Sequence, residues 1–226
     1  MARQWMRRSA TVVGLVAAAG LAVPGWAWGQ ALEIGGTFGF CDPLGALVER
    51  GSRTVPTSFF QKRQQVAPAL GADVTFWTSK RFGVTATFAL SPSAVADTDS
   101  TGVHDRTGAL LLTSVRVLYA VTPTPITAPA RGHLPNWSFY AGAGVGLVGR
   151  SGTVWTMAYK TGLTVPALVL NFGMRAPVSS RGLVRLEVVD YLSKAHFDEG
   201  LPTETVSRSH NDFVVNLGLA FQIKRR

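Results

Sequence analysis

A histidine beside a carboxylate is the pairing that general acid–base catalysis uses, and the sequence contains three such groupings. They are His104-Asp105, His196 with Asp198 and Glu199, and His210 with Asp212. A nucleophile would also have to lie within hydrogen-bond reach of one of these bases, and the sequence indicates no such pair. Histidines and acids in polar segments are usually solvated, so we expect no catalytic residues and no enzymatic activity.

A glycine motif is the second feature that could carry chemistry. Gly144, Gly146 and Gly149 match the spacing of the dinucleotide-binding fingerprint, which requires a following helix and an acid about 20 residues further on. Residues 153–157 do not continue a helical pattern, and no Asp or Glu occurs between Gly149 and Arg185. We expect no nucleotide and no other cofactor. Because His, Cys, Asp and Glu are not clustered at ligand spacing, we expect no metal either.

The glycines belong to a strand-like alternation. Between residues 137 and 148 every odd position is apolar, whereas the even positions are mostly small or polar. Seven other segments alternate in the same way, so the sequence predicts eight strands. The predicted links are 41–67, 78–81, 92–107, 122–135, 149–163, 176–182 and 193–210. Long polar links alternate with short ones, apart from the long Pro-rich link 122–135. This pattern predicts an all-β, transmembrane, up-and-down antiparallel barrel.

The polar face of the predicted strands decides which side meets lipid. A soluble barrel exposes many Lys and Glu, whereas the predicted strands carry no Lys apart from Lys194 at a strand end. Their polar face is mostly Gly, Thr, Ser and Ala, which suits the narrow, polar lumen of an eight-stranded barrel. We interpret six charged residues on this face as an ion-pair network inside the lumen. They are Glu33, Asp73, Arg116, Arg175, Arg185 and Glu187.

Asp190 does not fit this assignment, because it shares its parity with the apolar Val188. It would lie at the outer rim of the membrane, or a bulge would shift the strand. A narrow pore lined by the six charged residues is the alternative to a closed network.

The N-terminus has the features of a secretory signal peptide. A basic start leads into an apolar run over residues 12–23, Pro24 follows, and small residues permit cleavage after Gly29 or Ala31. We therefore predict a signal peptide over residues 1–31 and a barrel domain over residues 32–226. The formal net charge of +9 falls to about +6 without residues 1–31, and its scattered cations do not indicate nucleic-acid binding. Cys41 is the one cysteine, so an intrachain disulfide is excluded.

The sequence resembles the small outer-membrane β-barrel family, which comprises the OmpA-type transmembrane domain and its eight-stranded relatives. The segments that carry the resemblance are residues 139–146, 183–188 and the last strand, and it extends over residues 32–223. In the last strand, four residues match the family's assembly signal: Asn216, Gly218, Phe221 and Ile223. The family usually ends on an aromatic residue, whereas this chain continues with Lys224-Arg225-Arg226.

The resemblance implies a monomer in the bacterial outer membrane, with a structural or surface-interaction role in membrane integrity or adhesion. Its partners would be outer-membrane lipid and lipopolysaccharide, the barrel-assembly machinery and periplasmic chaperones. No open wide pore is expected, and a narrow channel for small solutes is one alternative. A lipopolysaccharide-modifying barrel enzyme is another. Residues 196–200 are similar to a segment of lipid A deacylases, but Asp198 occupies the position of their serine.

Overall fold

The computed structural model describes residues 31–45, 48–50, 60–99, 102–122, 137–152, 163–198 and 205–223. The chain forms strands β1 (Ala31–Leu44), β2 (Val48–Arg50), β3 (Phe60–Gln64), β4 (Ala67–Trp77), β5 (Phe82–Ser91), β6 (Val95–Asp99), β7 (Gly102–Arg106), β8 (Gly108–Ala120), β9 (Ser138–Gly152), β10 (Leu163–Pro177), β11 (Gly182–Asp198) and β12 (Thr205–Ile223).

Eight of these strands close into a barrel in the order β1-β12-β11-β10-β9-β8-β5-β4. Each barrel strand is antiparallel to the next barrel strand along the chain. The ring closes where Leu32 of β1 pairs with Ile223 of β12 and Ala31 pairs with Trp77 of β4. The predicted fold, an up-and-down barrel of eight strands, is confirmed.

The period of two in the sequence becomes the two faces of the barrel wall. Apolar side chains point outward and stay exposed, as in Leu70 (64% exposed), Val145 (68%) and Phe221 (68%). Their neighbours along each strand point into the lumen and are buried. In the described part of the chain, no helix is long and apolar enough to cross a membrane.

Two short turns at one end of the barrel have the same construction. In residues 78–81, the Ser79 hydroxyl accepts hydrogen bonds from the amides of Arg81 and Phe82 at 3.2 and 3.0 Å. In residues 178–181, the Ser179 hydroxyl accepts from the amides of Arg181 and Gly182. Because a serine in each turn bonds the backbone locally, both hairpins reverse within four residues. We call this the turn end of the barrel and the opposite end the loop end.

A second sheet lies beyond the barrel at the loop end. It has four strands in the order β2-β3-β6-β7 and joins segments that the sequence predicted as the loops 41–67 and 92–107. The pairing of β3 with β6, from Gln61↔Thr98 to Gln64↔Val95, connects the two segments. The loop assignment was wrong here, because these strands of three to five residues are polar and lack apolar alternation.

Strands β11 and β12 also extend further than predicted. Their pairing continues to Asp198↔Thr205, inside the segment 193–210 that was predicted as a link. The link predicted over residues 176–182 is shorter in the structure than in the prediction, because Ala176, Pro177 and Gly182 belong to the flanking strands. The signal peptide stays a prediction, since residues 1–30 lie outside the described residues, as does most of the link 122–135.

Candidate functional site

Side chains from all eight barrel strands converge in the lumen, which is the candidate functional site. The glycines of the fingerprint spacing lie in β9, which stays extended through Gly149 instead of giving way to a helix. At Gly144, a Cβ atom would lie 2.0 Å from the carbonyl oxygen of Val115 and 2.6 Å from the Cα of Arg116. The glycine is therefore needed for close approach of β9 to β8.

Four buried arginine–carboxylate pairs lie in the lumen. The pairs are Arg116–Glu187 with nitrogen and oxygen 2.8 Å apart, Arg150–Asp212 at 2.6 Å, Arg175–Glu33 at 2.5 Å, and Arg185–Asp73. The structure thus brings the six charged residues singled out in the sequence into three pairs. The pairs leave the lumen without net charge, which buried ions require.

The four pairs follow one geometric rule. Each arginine meets an acid on the strand three places further round the ring, with two strands between them. The pairs run from β8 to β11, from β9 to β12, from β10 to β1, and from β11 to β4. Because successive strands contribute successive pairs, the ion pairs follow one another round the barrel, and each pair spans the lumen.

Further polar groups satisfy the carboxylates in the middle of the lumen. The Asn171 side-chain amide donates to Glu187 Oε1 at 2.6 Å, which already accepts from Arg116. The hydroxyl of Thr75 donates to that of Thr85 at 2.8 Å, beside the Arg185–Asp73 pair. The charged hydrogen bonds to Glu187 are among the stronger ones in proteins, so they fix Arg116, Asn171 and Glu187 across the lumen.

Aromatic side chains close the lumen at the turn end. The Arg175 guanidinium lies 3.9 Å from the centre of the Trp77 ring, in cation–π geometry. Trp77 in turn makes an edge contact with Tyr140, with ring centroids 6.4 Å apart. Both aromatic residues are at most 3% exposed. Tyr140 fills the space above Gly173, where a Cβ atom would lie 2.5 Å from the ring.

The loop half of the lumen combines an apolar cluster with the Arg150–Asp212 pair, and this cluster differs from the polar lumen that the sequence predicted. Inward-pointing side chains pack there into a buried cluster that includes Leu112, Val148, Val169, Val189, Tyr191 and Val214. Below this cluster, Asp73, Arg116 and Glu187 line a cavity of about 20 Å³. A cavity of that size holds about one water molecule, so it is not a pore.

The structure separates one of the three histidine–acid groupings, and the side chains of a second are not among those described. His104 and Asp105 are exposed on β7, and as successive strand residues they point to opposite sides. Asp105 accepts a hydrogen bond from the Gln65 side chain at 2.7 Å. The backbone of His196 pairs with Ser207, but the side chains of residues 196–199 lie outside the described residues.

The third grouping lies inside the barrel. His210 Nε2 is 3.6 Å from Asp212 Oδ1, and both side chains are at most 2% exposed. Asp212 also accepts two hydrogen bonds from Arg150 Nη2, at 2.8 and 2.6 Å. Asp212 is therefore the partner of a buried arginine, in a place that bulk solvent does not reach. Among the described residues, no three His, Cys, Asp or Glu side chains come together as metal ligands.

Arg150 and Asp212 are the lumen charges that the sequence analysis missed. Both side chains point into the lumen, each two positions along its strand from a buried valine: Val148 for Arg150 and Val214 for Asp212. Arg150 falls in the predicted link 149–163, and Asp212 was interpreted as the acid of a histidine–acid grouping and not as a lumen residue. Extending the alternation of β9 by two residues, and that of β12 by one, would have placed both in the lumen.

Asp190 lies on the outer face, and the bulge considered for it is not present. Its strand keeps an uninterrupted register, with Asp190 opposite Leu170 on one side and Phe213 on the other. Asp42 of β1 pairs with Phe213 from the other side. Two carboxylates therefore flank Phe213 at the loop-end limit of the apolar outer face, where the Asn211 amide lies 3.4 Å from Asp190 Oδ2.

The residues of the predicted assembly signal lie on both faces of β12. Asn216 and Gly218 point into the lumen, where Asn216 is 9% exposed, whereas Phe221 and Ile223 are exposed on the outer face. The tail that follows them, residues 224–226, lies outside the described residues.

Comparison with solved structures identifies the fold. The crystal structure of the outer membrane protein OprG from Pseudomonas aeruginosa matches with a TM-score of 0.60 and 13% identity, covering 87% of this chain and 97% of that chain. The crystal structure of Neisserial surface protein A matches with a TM-score of 0.53 and 8% identity, covering 85% and 98%. The chain has the fold of the small outer-membrane barrels.

The similarity does not extend to a closer assignment. No protein-family model matches the sequence, and no curated protein matches it either. At these identities the solved structures show the fold alone. The resemblance seen in the sequence is confirmed for the eight-stranded architecture, while the OmpA type within it stays a prediction.

Proposed function

We propose that the protein is a monomeric barrel of the bacterial outer membrane, with a closed lumen and a structural or surface-interaction role. One observation supports this proposal above the others. A complete ring of strands exposes apolar side chains outward and buries four ion pairs inside.

The outer face supports the membrane location. A soluble protein rarely exposes a continuous apolar surface of this size, whereas lipid tails require one. Every barrel strand has hydrogen-bonded neighbours on both sides, so the ring leaves no backbone edge for lipid to meet. A ring that closes within one chain also needs no second copy, which supports a monomer.

The proposed partners follow from that location. Outer-membrane lipid surrounds the apolar outer face of the barrel, and lipopolysaccharide meets the loop end. Periplasmic chaperones and the barrel-assembly machinery deliver and insert the chain, with Asn216, Gly218, Phe221 and Ile223 as the assembly signal. A role in adhesion or membrane integrity would be carried by the loop end, where β3 and β6 join two excursions of the chain into one sheet.

The lumen supports a closed barrel over a narrow channel. Ion pairs cross it, Trp77 and Tyr140 cover one end, and the apolar cluster and the Arg150–Asp212 pair occupy the other half. Purified protein in planar bilayers should therefore give no discrete conductance steps. A regular conductance that disappears in the Arg116→Ala variant would contradict the closed lumen and favour the channel.

Fractionation tests the location directly. The protein should be found with outer membranes and should migrate faster on a gel before boiling than after it. Recovery in the soluble periplasmic fraction would refute the proposal. The enzymatic alternative predicts altered lipid A in cells that express the protein, and mass spectrometry should show unaltered lipid A. If lipid A changes and the change depends on His196, the structural role is wrong.

A further inference from the structure

The exposed charges are divided unevenly between the two ends of the barrel. At the turn end, the described residues include three exposed cations, Lys80, Arg81 and Arg181. The described turn-end residues 78–82, 121–122, 137 and 178–182 contain no Asp or Glu. The acid nearest to this end, Glu33, is buried and paired with Arg175. We call Lys80, Arg81 and Arg181 the turn-end collar.

The matched turns hold the collar in a fixed arrangement. The Arg81 carbonyl oxygen accepts from the Ala120 amide at 2.7 Å, and the Arg181 carbonyl oxygen accepts from the Gln222 amide at 2.7 Å. Each arginine therefore follows the same serine-bonded turn and is anchored to the next strand by its backbone. The two hairpins are four strands apart in the ring, so the two arginines lie on opposite sides of the rim.

Aromatic residues place the collar at the height of lipid headgroups. The exposed rings of Phe82 and Tyr119 pack against each other with centroids 5.2 Å apart, and Trp137 is exposed nearby at the same end. Exposed aromatic rings at strand ends mark the membrane–water boundary of outer-membrane barrels. Arg81 Nη1 donates to the Tyr119 hydroxyl at 3.1 Å, so a collar cation sits at that boundary.

The loop end has a different charge character, since cations and acids are mixed there. Arg63 and Lys194 are exposed, and so is Asp105. Among the described residues, the exposed charges of the turn end are therefore all positive.

We infer that the turn-end collar binds the anionic headgroups of phospholipids in the membrane leaflet at that end. Clusters of Lys and Arg at a membrane boundary attract anionic lipid, with about a fivefold gain in association for each cation. The inference rests on the proposed membrane location and adds a lipid preference to it. A zwitterionic headgroup would gain little, because its own cation offsets its phosphate.

A pair of matched variants tests the inference. Lys80→Gln/Arg181→Gln removes one lysine and one arginine from the collar and leaves the Arg81–Tyr119 hydrogen bond in place. Arg63→Gln/Lys194→Gln removes the same charge from exposed positions at the loop end. The full-length protein is folded in neutral detergent micelles and titrated with dihexanoyl-phosphatidylglycerol, dihexanoyl-phosphatidylcholine and inorganic phosphate, while amide NMR signals of Ser79 and Ser179 are followed.

Phosphatidylglycerol should give saturable shifts at the two serine amides, with weaker binding of phosphatidylcholine. The collar variant should raise the dissociation constant at each serine about fivefold, because each turn loses one cation, and the loop-end variant should leave both constants unchanged. Equal binding of the two lipids, an equal effect of inorganic phosphate, or an equal loss in both variants would overturn the inference. A dispersed amide NMR spectrum and heat-modifiable migration on a gel show separately whether the barrel is folded. A loss of lipid preference can therefore be distinguished from a failure of the proposed function.

Discussion

Replacing Glu33 by Gln should destabilise the barrel by about 3 kcal/mol. Arg175 is 2% exposed and would lose its carboxylate partner, and breaking a buried ion pair costs about 3–5 kcal/mol. The stacking of Arg175 on Trp77 remains and offsets part of the loss, which places the cost near the lower limit. Two other guanidinium nitrogens, Nε and Nη2, have no protein partner among the described residues, so no second acceptor is available to compensate.

Urea unfolding of the protein in lipid vesicles, followed by tryptophan fluorescence and by heat-modifiable migration, measures this change. Arg63→Gln is the control, because Arg63 is an exposed cation whose loss should change stability by less than about 0.5 kcal/mol. The double variant Glu33→Met/Arg175→Met removes both charges and keeps the volume. It should be within about 1 kcal/mol of the parent or more stable, because a buried pair gains little over apolar packing.

The size of the single-variant effect decides whether the lumen is dry. A loss of less than about 1 kcal/mol for Glu33→Gln would mean that water reaches Arg175 and solvates it. The closed lumen would then be wrong, whatever the location of the protein. A large loss in the single variant that persists in the double variant would show that shape, and not charge, dominates this site.

Three further predictions concern the barrel wall. In the same unfolding assay, Leu217→Arg in the middle of the apolar face should cost about 2–4 kcal/mol, whereas Ile223→Arg at its edge should cost about 0–1 kcal/mol; equal costs would contradict the orientation. Gly144→Ala should reduce the heat-modifiable fraction strongly, because its Cβ would meet a backbone oxygen at 2.0 Å, while Gly36→Ala should not, since its nearest contact is 3.9 Å. Asp190→Leu should raise the stability by up to about 1 kcal/mol, as it removes a carboxylate from the lipid face, and a loss would place Asp190 above the membrane.

Alternation along the sequence predicted which way the wall residues point, because a strand has an exact side-chain period of two. The odd positions between residues 137 and 148 were assigned to the apolar face, and the structure exposes Phe139, Val145 and Leu147 on the outside of the barrel. The same parity brought Asp73 and Arg185 into the lumen. Which acid meets which arginine could not be read from the sequence, because it depends on the stagger between strands that are not neighbours.

Prediction failed where membrane lipid no longer imposes an apolar face. Strands β3 and β6 lie beyond the barrel, and their polar sequences carry no alternation that could separate them from loops. The outer parts of β11 and β12 were missed for the same reason. Arg150 and Asp212 lie at the transition between the two regions, and Arg150 was assigned to a link because its strand continues beyond residue 148.

The long sequence separation of the paired lumen residues has a consequence for how the barrel assembles. The paired residues are 62, 71, 112 and 142 positions apart in the sequence, so a hairpin that forms early holds an arginine or an acid without its partner. In the hydrocarbon core of the membrane such a hairpin would carry an unpaired charge. Insertion of one hairpin at a time is therefore unfavourable. Strand-by-strand entry is likewise disfavoured, and the barrel is expected to enter the bilayer nearly complete, since the Arg175–Glu33 and Arg185–Asp73 pairs form only when β12 meets β1.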